Sequence, residues 1–159
     1  MQQPDFAASV LAMLAGYPDG AAPLDLEITE SLLMSNVAAH GATLAELRAH
    51  GVGIAIDDFG TGYSSLAYLA QLPVDALKID RSFVETLTDR PESLAIVRTV
   101  ISLAQSLHLK TVAEGVETAE QAGRLAELGC DELQGFWISR PLPLDALLDW
   151  LRARTPAGV

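Results

Sequence analysis

Apolar residues return at every second position in five short runs of this chain: LDLEIT (24–29), VGIAID (52–57), DALKID (75–80), KTVAE (110–114) and ELQGFWI (132–138). A period of two over a few residues marks a strand with one buried face. Between the runs the period lengthens. Leu94, Val97, Ile101 and Ala104 make one stripe between Pro91 and Leu107, as a helix lying on a sheet requires, and Phe6 to Ala15 carries a further helical pattern. Thr43 with Glu46 and Thr118 with Gln121 match the T-x-x-E/Q capping box, Ser64 suits an N-cap, and Gly51 and Gly129 stand where a helix-ending glycine belongs. Strand and helix thus alternate through five units, the pattern of a parallel sheet covered by helices, either doubly wound or barrel.

Strand parity separates these two architectures. Leu24, Leu26 and Ile28 share one face of the first run and Asp25, Glu27 and Thr29 the other; Val52, Ile54 and Ile56 oppose Gly53, Ala55 and Asp57; Leu77 and Ile79 oppose Ala76, Lys78 and Asp80. A sheet with helices on both sides needs two apolar faces, whereas one apolar and one small or polar face suits an α/β TIM-like barrel with its polar side toward the axis. The C-terminal rim of such strands carries the site. Glu27, Asp57, Asp58, Asp80 and Glu114 are expected to converge there around a single cation, Lys78, with Gln134 late on the last strand. Like charges so gathered are costly unless cations are bound or protons retained. Oxygen ligands of this kind select hard cations such as Mg²⁺ or Mn²⁺. One carboxylate bridging two ions ~3.5–4 Å apart serves an in-line phosphoryl displacement, a task that suits Asp57, with Asp58 reaching the second ion from the start of the loop.

The bulk properties narrow the setting. A chain of 159 residues, 50% hydrophobic, is expected to form one domain. Its 21 acidic and 10 basic residues give a net charge of −11, which argues against tracking polymeric nucleic acid. A small phosphate ligand remains compatible with that charge, because bound metal ions reverse the local field. Cys130 is alone, so no intrachain disulfide forms, and no apolar run reaches the ~18 residues of a membrane span. A cytoplasmic domain is the expectation. Gly60 and Gly62 lack the lysine and hydroxyl residue of a P-loop. His40, His50 and His108 read as packing or surface residues, and Phe136 and Trp137 as core aromatics ahead of base contacts.

The blocks LEITES, DDFGTGYSSL, LKIDRSFV, TVAEGVET and DELQGFWISRPLP, in this order and spacing, resemble the signature blocks of EAL domains, the cyclic di-GMP phosphodiesterases. The resemblance extends from about Pro4 to Leu151. It implies a TIM-like barrel that hydrolyses cyclic di-GMP to linear pGpG with two Mg²⁺ or Mn²⁺ ions. By matching motif positions it makes Glu27 and Asp57 ligands of the first metal, and Asp57, Asp58 and Glu114 ligands of the second. Lys78 would hold the attacking water or a phosphate oxygen, and Gln134 the metal-bound water network. Glu30 would brace the loop beginning at Asp58, and Glu117 would support the site from just outside the ligand set. The family's Glu-Ala-Leu run is absent, and the only asparagine, Asn36, falls on an expected helix after LEITES. A full barrel needs ~250 residues. The chain therefore reads, over residues 1–159, as the C-terminal part of such a domain, with the N-terminal strands missing. Weak or no hydrolysis by this chain alone, a non-catalytic role in binding cyclic di-GMP or a protein, and pairing of two copies across open strand edges all follow as expectations. An enolase-like barrel, using a lysine and carboxylates for proton abstraction, is the third reading and fits the ordered blocks worst.

Overall fold

The computed structural model describes residues 5–16, 24–62 and 66–154, with the backbone alone at 34–35, 37–39 and 66–67. Five strands, β1 (Asp25–Thr29), β2 (Gly53–Phe59), β3 (Ala76–Ile79), β4 (Lys110–Ala113) and β5 (Glu132–Leu133), form one sheet in which each pairs in parallel with the next. The helices are α1 (Phe6–Ala15), α2 (Glu30–Ser35), α3 (Val37–Ala49), α4 (Leu66–Leu69), α5 (Arg81–Glu85), α6 (Pro91–Ser106), α7 (Ala119–Leu128) and α8 (Leu144–Arg154). Sequential parallel order with helical crossovers is the arrangement of a TIM-like barrel wall.

The strand alternation explains where the core lies. Ile28, Ile54, Ile56, Leu77, Ile79 and Ala113 are buried, together with Leu44 and Leu47 of α3, Val97, Ile101 and Ala104 of α6, and Leu125 of α7. Helices thus cover the apolar face of the sheet, while the opposite face presents Glu27, Ala55, Asp57, Lys78 and Glu114. The Thr118–Gln121 capping box forms in both directions, and α7 ends at Gly129 in the left-handed conformation (φ +83°).

Three local expectations are corrected. Thr43 and Glu46 do not open a helix, because α3 already runs from Val37. The alanines of VAAHGA have the propensity to carry it upstream past Gly41. The fifth strand stops at Leu133 instead of continuing to Ile138: Gln134 O accepts from Val116 N–H at 3.0 Å and Gly135 O from Ile138 N–H at 3.0 Å, so the chain turns. Asn36 lies at the break between α2 and α3, not within a helix. Ser64 lies outside the described residues.

The two ends of the sheet spend their carboxylates differently. At the N-terminal end, Asp75 Oδ2 accepts from Ile54 N–H at 2.9 Å, and Asp131 Oδ2 accepts from both Thr111 N–H and its hydroxyl at 2.8 Å. These acids lock strands to their neighbours. The C-terminal end has carboxylates that face one another instead.

Among the described residues, nothing pairs with the outer edge of β1 or of β5. Helix α8 buries none of its residues and exposes Leu144, Leu147, Leu148 and Leu151 along one stripe. Open parallel edges and an apolar stripe favour association. The 159-residue chain is therefore expected to sediment above its monomer mass or to aggregate. A soluble monomer with one sharp thermal transition would show that five units close their core unaided.

Candidate metal centre at the C-terminal rim of the sheet

Register places the acids. Thr29 of β1 stands opposite Asp57 of β2, so Glu27, two residues earlier, shares the inner face with Asp57. Lys78 pairs with Val112, and Glu114 N–H continues the ladder by donating to Ile79 O at 3.1 Å. Glu27, Asp57 and Glu114 consequently close on Lys78 from both sides. Its Nζ lies 2.6 Å from Glu27 Oε2 and 3.1 Å from Asp57 Oδ1, and it also pairs with Glu114 Oε1. The lysine side chain is only 5% exposed, against 51% for Glu27. Burial by itself would lower the lysine pKa; the contacts with Glu114, Glu27 and Asp57 overcome it and raise the pKa above the ordinary lysine range.

The adjacent aspartates part company through a bulge. Ala55 pairs with Ala76 and Ile56 with Leu77, but Phe59 pairs with Ile79, so β2 carries one residue more than β3 across this interval. The extra residue is accommodated at Asp58, whose φ of +54° is left-handed, a conformation that aspartate tolerates better than most side chains. Strand parity is thereby reset: Ile56 and Phe59 both remain buried although they are three apart. Asp58 does not join the three-carboxylate group. It sits beside Asp80, and desolvation followed by the charges of Asp57 and Asp80 raises its pKa. Asp80 also caps α5, accepting from Ser82 N–H at 3.0 Å.

Buried Glu30, at the start of α2, accepts from Gly60 N–H at 3.3 Å and lies so close to Gly62 that a Cβ there would be 2.7 Å from Oε1. Glu117 Oε1 accepts from Arg81 Nη2 at 2.9 Å. Gln134 lines a concave space of about 430 Å³ on the inner face with Glu27 and Lys78. It also borders a cleft of about 200 Å³ with Arg81, Glu114, Glu117 and Phe136. Phe136 and Trp137 are about half exposed, contrary to their reading as core residues, because the strand ends at Leu133 and they fall in the turn that follows; Arg140 lies over the Phe136 ring at 4.5 Å. His40 is buried, whereas His50, just past the end of α3, is exposed and donates from its ring to Glu46 O at 2.9 Å. Arg81 escaped the sequence reading. The available signal was a lone arginine directly after Asp80, on a rim otherwise rich in acids.

The donor set fits a hard divalent cation. One carboxylate oxygen from each of Glu27, Asp57 and Glu114 lies within 4.8 Å of the others. Asp57 Oδ1 is buried without a hydrogen-bond partner, its nearest compensation being the ion-pair contact with Lys78. Three carboxylates against one ammonium leave the group net negative, and oxygen-only donors are the chemistry that Mg²⁺, Mn²⁺ and Ca²⁺ select.

Among the described residues no helix is long and apolar enough to cross a membrane. A family model described as the EAL domain matches residues 1–141. The cyclic di-GMP phosphodiesterase NbdA of Pseudomonas aeruginosa is 53% identical over 130 residues, 82% of this chain but 17% of that protein. The chain therefore spans about a sixth of this curated relative. Among solved structures, the PaMucR phosphodiesterase in complex with c-di-GMP superposes with a TM-score of 0.87 at 46% identity, covering 92% of this chain and 59% of that one. Klebsiella pneumoniae BlrP1, solved with manganese and cyclic di-GMP, gives a TM-score of 0.74 at 34% identity over 87% of this chain and 35% of that one. A calcium and cyclic di-GMP complex of the same protein superposes with a TM-score of 0.75. With the fold, the rim of acids and the matched length in agreement, the chain belongs to the EAL domain family.

Proposed function

We propose that this chain forms the C-terminal wall of a phosphodiesterase domain that hydrolyses cyclic di-GMP to linear pGpG. The observation that carries the proposal is the closure of Glu27, Asp57 and Glu114 on one buried lysine at the C-terminal rim of a parallel sheet. Glu27 and Asp57 would hold one divalent ion, and Asp57, Asp58 and Glu114 a second, with Mg²⁺ or Mn²⁺ as the metals. When bound, the ions supply Lewis-acid charge and an acidified water for in-line displacement at phosphorus. The protein's own groups do the rest. Lys78, already charged and fixed, presents its Nζ–H groups to the attacking water or to a phosphate oxygen. Gln134 orients water at the concave face. Glu30 holds the Gly60 amide, and through it the loop leading from Asp58. Glu117 steadies the connection after Glu114.

The 159 residues carry neither a Glu-Ala-Leu run nor an asparagine on a strand. The 159-residue chain is expected to hydrolyse cyclic di-GMP weakly or not at all, and a version completed with the preceding barrel strands to do so with Mg²⁺ or Mn²⁺. Ca²⁺ should occupy the completed site and inhibit, because its longer bonds and looser coordination misplace the nucleophile. Chromatographic separation of cyclic di-GMP from pGpG reads both results. Robust metal-dependent turnover by the short chain, with no second copy completing the barrel, would overturn this account. Binding of cyclic di-GMP without hydrolysis by the completed domain would place the chain with non-catalytic receptors.

A further inference from the structure

Arg81, the first residue of α5, touches the connection after Glu114 at two points. Its stem lies across Gly115, where a Cβ would come within 2.8 Å of Arg81 Cδ and closer still to Cγ; Gly115 itself has a φ of +69°. Beyond the stem, Nη2 donates to Glu117 Oε1 at 2.9 Å. The same connection is held from its other side. Gln121 Oε1 accepts from Glu117 N–H at 2.8 Å and from Thr118 N–H at 3.0 Å, and Val116 O accepts from Trp137 N–H at 2.9 Å. Glu114, where the connection begins, is paired with Lys78, three residues before Arg81 on the chain. One short segment at the end of β3 therefore grips residue 114 through a lysine and residues 115–117 through an arginine.

We infer that Arg81 is a positioning residue that sets the direction of the Glu114 carboxylate by pinning Gly115 and Glu117. The inference rests on the reading of Glu114 as a metal ligand. As an ion pair alone, Arg81–Glu117 would contribute little, since the two side chains are 55% and 44% exposed. Its value lies in fixing a ligand, and partners that orient ligands typically change metal affinity by about 10–100-fold when removed.

The test compares the 159-residue chain with Arg81→Met, Arg81→Lys, Glu117→Gln and the Arg81→Met/Glu117→Gln pair. Electron paramagnetic resonance of free Mn²⁺ reads binding, and amide hydrogen exchange at 115–117 reads the connection without metal. Arg81→Met should weaken Mn²⁺ binding about 10-fold and speed exchange at Gly115–Glu117, with an unchanged circular dichroism spectrum. Arg81→Lys should fall between, and the double variant should be no worse than Arg81→Met. Unchanged Mn²⁺ affinity in Arg81→Met and Arg81→Lys would overturn the inference, as would unchanged exchange. Failure of the unsubstituted chain to bind Mn²⁺ would instead overturn the metal reading, leaving exchange to decide whether Arg81 pins the connection.

Discussion

Lys78→Met should destabilise the metal-free chain by about 2–4 kcal/mol and make its stability strongly dependent on divalent cations. Removing one partner of a buried ion pair typically costs about 3–5 kcal/mol, a figure reduced here because Glu27 is half exposed to water. Methionine fills a similar volume but leaves three carboxylates facing one another. Mn²⁺ then becomes the available counter-charge, and binding to the folded state alone stabilises by about 2.7 kcal/mol at a hundredfold excess over Kd. Urea melts of parent and variant, with and without Mn²⁺, measure both terms. Equal stability without metal, or a smaller Mn²⁺ gain in the variant than in the parent, would mean that Lys78 does not offset the acids. The sign with pH is also fixed. A lysine whose folded pKa is raised contributes stability that is fully present below the ordinary value of about 10.4 and is lost only as pH climbs through the folded value.

In a completed barrel, Asp57→Asn should lower kcat about 10³-fold, several kcal/mol of transition-state stabilisation, and Asp58→Asn distinctly less. The geometry separates the two neighbours. Asp57 lies within the three-carboxylate group with its buried Oδ1 facing the Lys78 ammonium, whereas Asp58 stands at the bulge beside Asp80. Asparagine is the informative replacement because it accepts the left-handed backbone of residue 58, where alanine would add strain. Steady-state kinetics in Mn²⁺ measure the difference. Equal losses would remove Asp57 as a shared ligand.

Much of this was legible in the residues because the physics was local. Leu26, Ile28, Ile54, Ile56, Leu77 and Ile79 alternate with Glu27, Ala55 and Lys78, and that alternation alone sorts core from barrel interior. The gathering of Glu27, Asp57 and Glu114 followed from parity and the parallel ladder. Other features depend on what a segment meets later. Two consecutive aspartates do not announce which of them occupies a bulge; that is set by the pairing of Phe59 with Ile79. The apolar letters after Leu133 suggest a longer strand, but the Val116 and Ile138 amides compete for its carbonyl groups. Thr43 carried a capping signal in a stretch whose alanines had already begun the helix. The grip of Arg81 on Gly115 joins two separate connections and has no periodic trace.

The sequential strand order bears on how the chain acquires its structure. Leu26 meets Ile54, Ile56 meets Leu77, Leu77 meets Thr111 and Val112 meets Glu132, so each ladder joins one βα unit to the next. Among the described residues no ladder waits for a strand from the far end of the chain. Entropy of loop closure is therefore met in instalments of a single unit, and a growing polypeptide can add wall to wall as it leaves the ribosome. Among the described strands β5 emerges last and is the shortest, so its docking through Gln134 N–H to Ala113 O is expected to be the most readily reversed of these strand additions.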